Sequence, residues 1–257
     1  MDGRGQGGFA RGIHDEVQHI PSNKMSQFDR FATDYKTILD RSVSGSGADA
    51  EYFAECKAEY AAKVAGHRFA GKVLDFGCGI GLLSRALRRY LPLATMHGYD
   101  ESQRSIEMVD ADIRAQGLYT SKSQELAADY DLIIVANVLH HVSPDERQAL
   151  CNELLSRLSP DGCVIVFEHN PLNPVTRWVV SHCPLDEDAI LLPLKETMGY
   201  MRRAGFASVQ VSYFIFFPRP LMRIRPLERW LGWCPLGAQY IVLCRRNGKG
   251  FPPNATA

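Results

Sequence analysis

The stretch Lys72-Val73-Leu74-Asp75-Phe76-Gly77-Cys78-Gly79-Ile80-Gly81 leaves this chain few folds to choose from. Val73 and Leu74 read as a buried strand that ends on an acid. Three glycines follow at alternate positions, and an apolar series at helical spacing (Leu82, Leu83, Ala86, Leu87) begins at once. Glycine has no Cβ, so its backbone N–H can approach a ligand closely. The positive end of the following helix points at the same place. Strand, glycine turn and helix in this order make a cradle for a nucleotide-type cofactor.

Two occupants suit such a cradle. The dinucleotide fingerprint sets its third glycine three positions after the second. Counted from Gly77 and Gly79 that position is Leu82; counted from Gly79 and Gly81 it is Ser84. Neither frame fits, and the spelling is D-x-G-x-G-x-G. A second short strand, Thr95 to Tyr99, ends on Asp100, nineteen positions after Gly81. An acid there accepts hydrogen bonds from two ribose hydroxyls, whichever cofactor binds. Glu101 is a neighbouring candidate for that role.

The rest of the chain fits one α/β domain with appendages. Its 257 residues are 46% hydrophobic, ample for a core, and the formal net charge of zero gives no global attraction to nucleic acid. No run approaches the length of a membrane span, and no basic-then-apolar leader opens the chain. Seven cysteines, an odd number without a C-x-x-C pair, favour reduced thiols and a cytoplasmic location. Residues 1–24 read as a disordered leader, with Met25 an alternative start, and 248–257 as a flexible tail. Aromatic and apolar residues at helical spacing from Phe28 to Val64 (Phe31, Tyr35, Ile38, Leu39, then Tyr52, Phe53, Tyr60) predict a helical lid over 25–68.

Over 69–247, strands alternate with helices. Strands are expected at Lys72–Phe76, Thr95–Tyr99, near Tyr119, Asp131–Ala136 and Cys163–Glu168, with an antiparallel pair at Val209–Phe217 and Tyr240–Arg245. Helices are expected at Leu82–Tyr90, Gln103–Gln116, Pro144–Leu158 and Glu196–Ala204. This is the pattern of a doubly wound, mostly parallel seven-stranded sheet with helices on both faces. Its ligand belongs beyond the carboxyl ends of the strands, where strand order reverses.

The glycine loop resembles motif I of the class I S-adenosylmethionine-dependent methyltransferases. Asp131-Leu-Ile-Ile-Val-Ala-Asn137-Val-Leu-His140-His141-Val resembles motif IV of that family. Phe28-Asp29-x-x-Ala32-x-x-Tyr35 is similar to the N-terminal signature of its small-molecule members, and Ala204-Gly205-Phe206 to its usual helix end. The resemblance spans about residues 28 to 245. It implies that S-adenosylmethionine is the cofactor, with Asp75, Phe76, Gly77, Cys78, Gly79 and Gly81 around its methionine part and Asp100 or Glu101 on its ribose. It further implies that Asn137 lines the methyl site and that Tyr35 closes over it.

Methyl transfer from a sulfonium is an in-line displacement, so positioning supplies much of the rate. A hydroxyl or amine acceptor also needs a base, for which histidine is suited. His141 and His169, past the fourth and fifth strands, are favoured over His140, since alternate residues face different ways. The loop Glu168-His169-Asn170-Pro171-Leu172-Asn173-Pro174 either offers its amides to an oxygen-rich acceptor or simply turns the chain. His182-Cys183 and Asp186-Glu187-Asp188 show no recurring ligand spacing, so no metal is expected, and the acidic run reads as a solvated helix start. Across 213–234, arginines interleave with Leu, Met, Ile and Trp. That mix suits either a peripheral membrane contact, with capture of a lipid-linked acceptor, or a crossover whose arginines are merely solvated. The function expected is methyl transfer to a small or lipid-linked acceptor, most simply at oxygen. A nicotinamide-dependent oxidoreductase and a catalytically silent cofactor-binding module are the rivals.

Overall fold

The computed structural model describes residues 27–44, 48–66 and 68–248, so the expected leader and nearly all of the expected tail lie outside the described residues. A 3-10 turn (Gln27–Arg30) leads into α1 (Tyr35–Val43) and α2 (Ala50–Ala65). Then come β1 (Lys72–Phe76), α3 (Leu82–Tyr90), β2 (Thr95–Tyr99), α4 (Gln103–Met108), α5 (Ala111–Arg114) and β3 (Tyr119–Thr120). The second half runs β4 (Tyr130–Ala136), α6 (Arg147–Ser156), β5 (Leu158–His169), α7 (Pro174–Ser181), α8 (Leu194–Ala204), β6 (Ser208–Phe214) and β7 (Gln239–Arg245).

The seven strands form one sheet in the order β3-β2-β1-β4-β5-β7-β6, parallel except for β7, which runs antiparallel to both neighbours. Alternate residues of each strand feed opposite faces, as a two-residue period requires. Val73, Leu132, Ile134, Ile165 and Phe167 pack under α2 and α3 on one side. Leu74, Ile133, Val135, Val164 and Val166 pack with Leu154 of α6 and Met201 of α8 on the other. Strand order reverses between β1 and β4. The carboxyl ends of β1, β2, β4 and β5 therefore meet at one edge, where a ligand site belongs.

Three expectations are corrected. The helix expected over 103–116 is two short helices, because Val109 and Asp110 are extended between them (ψ 135° and 137°). Val109 is buried against the glycine loop at Gly81, and Asp110 pairs with Arg85 of α3, so tertiary contacts break the helix there. The helix expected from Pro144 starts at Arg147. Finally, α2 is no lid. Its buried stripe is not the aromatic series but Ala54, Ala58, Ala61, Ala62 and Ala65, whose small side chains let it pack into the core beside α3. The segment 27–44 does stand over the ligand edge, with Asp29 bonded to Ser102 and Tyr35 over Gly79.

Candidate active site

The glycine loop leaves β1 and crosses the end of β2, where the N–H groups of Gly77 and Cys78 both donate to the Tyr99 carbonyl (2.7 and 2.9 Å). Gly77, Gly79 and Gly81 all have positive φ (79°, 52° and 81°). At Gly77 a side chain would also overlap Val138 Cγ2, just past β4. Gly79 lies beneath the Tyr35 hydroxyl, which would be 3.4 Å from a Cβ placed there. Phe76 is buried with its ring 4.9 Å from that of Tyr99, and Cys78 is buried with its thiol pushed well up by burial.

Both expected acids reach the loop. Asp100 accepts from Gly79 N–H (2.8 Å) and from Ser102 N–H (2.9 Å). Burial lifts its carboxyl to about 6 against the pull of those two amides. Asp75 is 1% exposed and accepts from Ser84 Oγ (2.7 Å) in α3, with burial lifting it to about 6. Glu101 is exposed at the rim. The N-terminal segment is tied down here: Ser102 Oγ donates to Asp29 (2.6 Å), and the Arg104 guanidinium donates to the Asp29 carbonyl (3.3 Å).

A second cluster stands at the ends of β4 and β5. Asn137 adopts a left-handed backbone (φ 59°), uncommon outside glycine, and its side-chain carbonyl accepts from Gln239 (3.2 Å). Glu168 is buried; its Oε1 accepts from the N–H groups of Val138 and Leu139 (3.0 and 2.7 Å), and its Oε2 lies 2.6 Å from His140 Nδ1. Burial works against a charged His140, yet Glu168 and Asp186 lift it to about 9. The His169 ring lies 5.0 Å from that of His140; burial and the cationic His140 bring it down to about 4, so it is neutral. Asp186 Oδ1 lies 3.4 Å from Nε2 of both His140 and His141. Burial would raise Asp186, but its contacts with the two histidines hold it well below the usual carboxylate range.

Asp186 thus belongs to the site, not to a solvated acidic run. A 3-10 turn (Pro184–Asp186) after α7 folds it back over His140. The loop asparagines do the reverse. Asn170 donates to the carbonyls of Pro235 and Gly237 (3.0 and 2.8 Å), and Asn173 caps α7 and donates to the Leu236 carbonyl (2.7 Å), so both turn the chain.

Tyr35 joins the two clusters. Burial raises its hydroxyl, and the carboxylates of Asp100 and Asp186 raise it further; it lies over Gly79, and its helix packs against the turn that carries Asp186. Sequence reasoning missed Lys57. It is buried on α2, and burial brings its amine down to about 8 although Glu168 and Asp75 both favour its charge. The signal was available, since Lys57 interrupts an alanine stripe (Ala54, Ala58, Ala61) at helical spacing.

A family model described as a methyltransferase domain matches residues 74–164, which hold the glycine loop, Asp100 and the β4 cluster. Residues 74–164 therefore carry a methyltransferase domain, and the sheet around them has the Rossmann-like methyltransferase fold. Trans-aconitate 2-methyltransferase of Pseudomonas paraeruginosa is 33% identical over 102 residues, covering 38% of this chain and 36% of that protein. Ribosomal RNA small subunit methyltransferase C of Salmonella choleraesuis is 33% identical over 100 residues, covering 36% and 29%. The chain thus matches about a third of the length of these curated relatives. Among solved structures, a SAM-dependent methyltransferase from Archaeoglobus fulgidus aligns at TM-score 0.58 and 14% identity, over 77% of this chain and 95% of that one. A plantazolicin methyltransferase in complex with SAH aligns at 0.56 and 16%, over 85% and 94%. A 4+2 cyclase aligns at 0.59 and 14%, over 88% and 96%, so the methyltransferase fold alone does not fix the reaction.

Proposed function

We propose that this chain is a class I S-adenosylmethionine-dependent methyltransferase that transfers the methyl group to a small or lipid-linked acceptor, at oxygen. The observation that carries the reading is the position of Tyr35, whose hydroxyl lies over Gly79 of the cradle on a helix that packs against the turn carrying Asp186 of the histidine–acid cluster. Gly77, Gly79 and Gly81 would bring backbone to the donor, with Phe76 and Cys78 packing beneath. Asp75 would take the α-ammonium, Lys57 the carboxylate, and Asp100 or Glu101 the ribose. Asn137 and His141 would line the methyl site. His169, neutral and beside them, would accept the acceptor's proton as its oxygen attacks and the C–S electron pair leaves on sulfur.

A groove of about 680 Å³, lined by Arg177, Trp178, Ser181 and Leu191, shares Asp186 with this cluster and would offer the acceptor a place beside it. Relatives named for trans-aconitate support a small molecule. A relative named for ribosomal RNA supports a larger one, but a net charge of zero weighs against nucleic acid. A peripheral membrane contact at 213–234 belongs to the same reading. The 3-10 segment Arg219–Trp230 buries none of its residues, and Met222, Trp230, Trp233 and Leu236 are each more than half exposed. Four arginines against one glutamate suit an anionic lipid surface, as would a location on its cytoplasmic side. Among the described residues no helix is long and apolar enough to cross a membrane.

The test is an untargeted search for products one methyl group heavier when the purified chain and labelled donor meet fractionated cell extract. A labelled small or lipid product supports the reading. Donor binding without any product would leave a silent module, and label confined to RNA would overturn the acceptor class.

A further inference from the structure

Three side chains from separate parts of the chain converge on one point. His140 and His141 come from the loop after β4, and Asp186 from the turn after α7. Asp186 Oδ1 is 3.4 Å from Nε2 of each histidine, and the three donor atoms all lie within 4.8 Å of one another. Bonds of about 2.1 Å to nitrogen and oxygen, set at the tetrahedral angle, separate neighbouring donor atoms by about 3.4 Å. Both separations from Asp186 to the histidines match it.

His140 Nε2 is buried and, despite its proximity to Asp186, makes no aligned hydrogen bond. Its other nitrogen is committed to Glu168 at 2.6 Å, and Glu168 is itself fixed by two backbone amides. A carboxylate on the far nitrogen is how proteins orient an imidazole toward a metal. We infer that His140, His141 and Asp186 bind a divalent transition-metal ion, with Glu168 as the positioning residue behind them.

Two imidazoles and one carboxylate select a zinc-like ion over magnesium or calcium, which prefer oxygen donors alone. Three protein ligands leave a fourth position, and Asp186 borders the acceptor groove. The role of the ion rests on the methyl-transfer reading, whereas its binding does not. Bound at the fourth position, an acceptor hydroxyl becomes more acidic and gives its proton to His169. Its oxygen bonds to the methyl carbon, and the C–S pair returns to sulfur as a neutral thioether. The positive charge of the sulfonium ends as the proton on His169.

Zinc titrated calorimetrically into untagged, chelator-stripped protein, without any donor present, tests the site. One ion per chain is expected. Affinity should fall at least tenfold in Asp186→Asn and His141→Ala, and about 10–100-fold in Glu168→Gln, the usual loss for a ligand-orienting carboxylate. His182→Ala, an exposed histidine outside the cluster, should bind zinc as the natural chain does. Thermal melts identify any variant that fails to fold, and Asp186→Asn and His141→Ala, both at the partly open side, then decide. Absence of one-to-one binding, or binding undiminished in folded Asp186→Asn, overturns the inference. S-adenosylhomocysteine titrated into the same samples keeps the two claims apart. Donor binding without zinc binding sinks the metal alone, and zinc binding without donor binding sinks the methyl-transfer reading alone.

Discussion

Lys57, Asp75 and Asp100 are three charged groups held at unusual cost. A lysine in an alanine stripe and two carboxyls lifted to about 6 are each paid for elsewhere in the fold. On the proposed reading the donor accounts for them: Asp75 and Lys57 would meet the ammonium and the carboxylate of its methionine end, and Asp100 the hydroxyls of its ribose. Lys57→Met should lower affinity for S-adenosylhomocysteine about tenfold, about 1.4 kcal/mol, by calorimetry. The same change should leave the urea midpoint unchanged or raised, since burying an ammonium is unfavourable. The acids give a pH signature. Their folded pKa values lie above the ordinary 3.8, so folding takes up protons between about 4 and 6. Their contribution to stability is therefore unfavourable at neutral pH and is relieved as pH falls through 6. Donor binding needs the ionised acids and a charged Lys57, so affinity should peak near pH 7, fall about tenfold per unit, for each acid engaged, below 6, and begin to fall near 8 as Lys57 loses its proton. Calorimetry and denaturant melts from pH 4.5 to 8 would show the two trends running in opposite directions.

Among the elements, the turn from β1 into α3 is the most exacting. Gly77→Ala should destabilise the protein by about 2–4 kcal/mol, through left-handed backbone strain plus overlap with Val138. Adding Val138→Ala should recover the overlap but not the strain, which urea unfolding of single and double variants measures. This element was legible in the sequence because its message is local: strand, acid, glycines and helix are consecutive. Asp100 was legible for a related reason, since its spacing follows from one helix and one short strand. Asp186 was not. It reaches His140 only through the packing of α7 and the turn behind it, and nothing in Asp186-Glu187-Asp188 itself records that return. The split of the 103–116 helix was hidden likewise, because Val109 is pulled out of helical geometry by its contact with Gly81. In α2 the aromatic period was real but marks the flank of the buried face: Tyr60 and Val64 pack beside the alanine stripe, whose small side chains allow the closest approach.

For the whole molecule, the alternation of strands and helices predicted the sheet and its antiparallel β6–β7 pair. The acceptor side was less legible because it is built from loops that no cofactor constrains. There, Asn170, Asn173 and Thr176 fasten the start of α7 to residues 235–238, setting exposed Leu172 and Val175 beside Leu236. All three tryptophans, Trp178, Trp230 and Trp233, are exposed on these adjoining segments. Vesicles containing phosphatidylglycerol should shift tryptophan fluorescence to the blue and sediment the protein, with the effect weakening in salt. Phosphatidylcholine vesicles should do neither. Arg223→Glu with Arg229→Glu should lower partitioning at least tenfold, from about 1 kcal/mol per arginine at an anionic surface. Equal binding to both vesicle types would remove the electrostatic account of this face.

The central claim is that the Asp75–Gly81 cradle holds the methyl donor. Calorimetric titration of the intact chain with S-adenosylhomocysteine, beside a parallel titration with NADH, tests it most directly. One-to-one binding of the former alone is predicted, weakened by about 1–3 kcal/mol in Asp100→Ala, the scale for losing charged hydrogen bonds. No heat with S-adenosylhomocysteine, or preference for NADH, would contradict it.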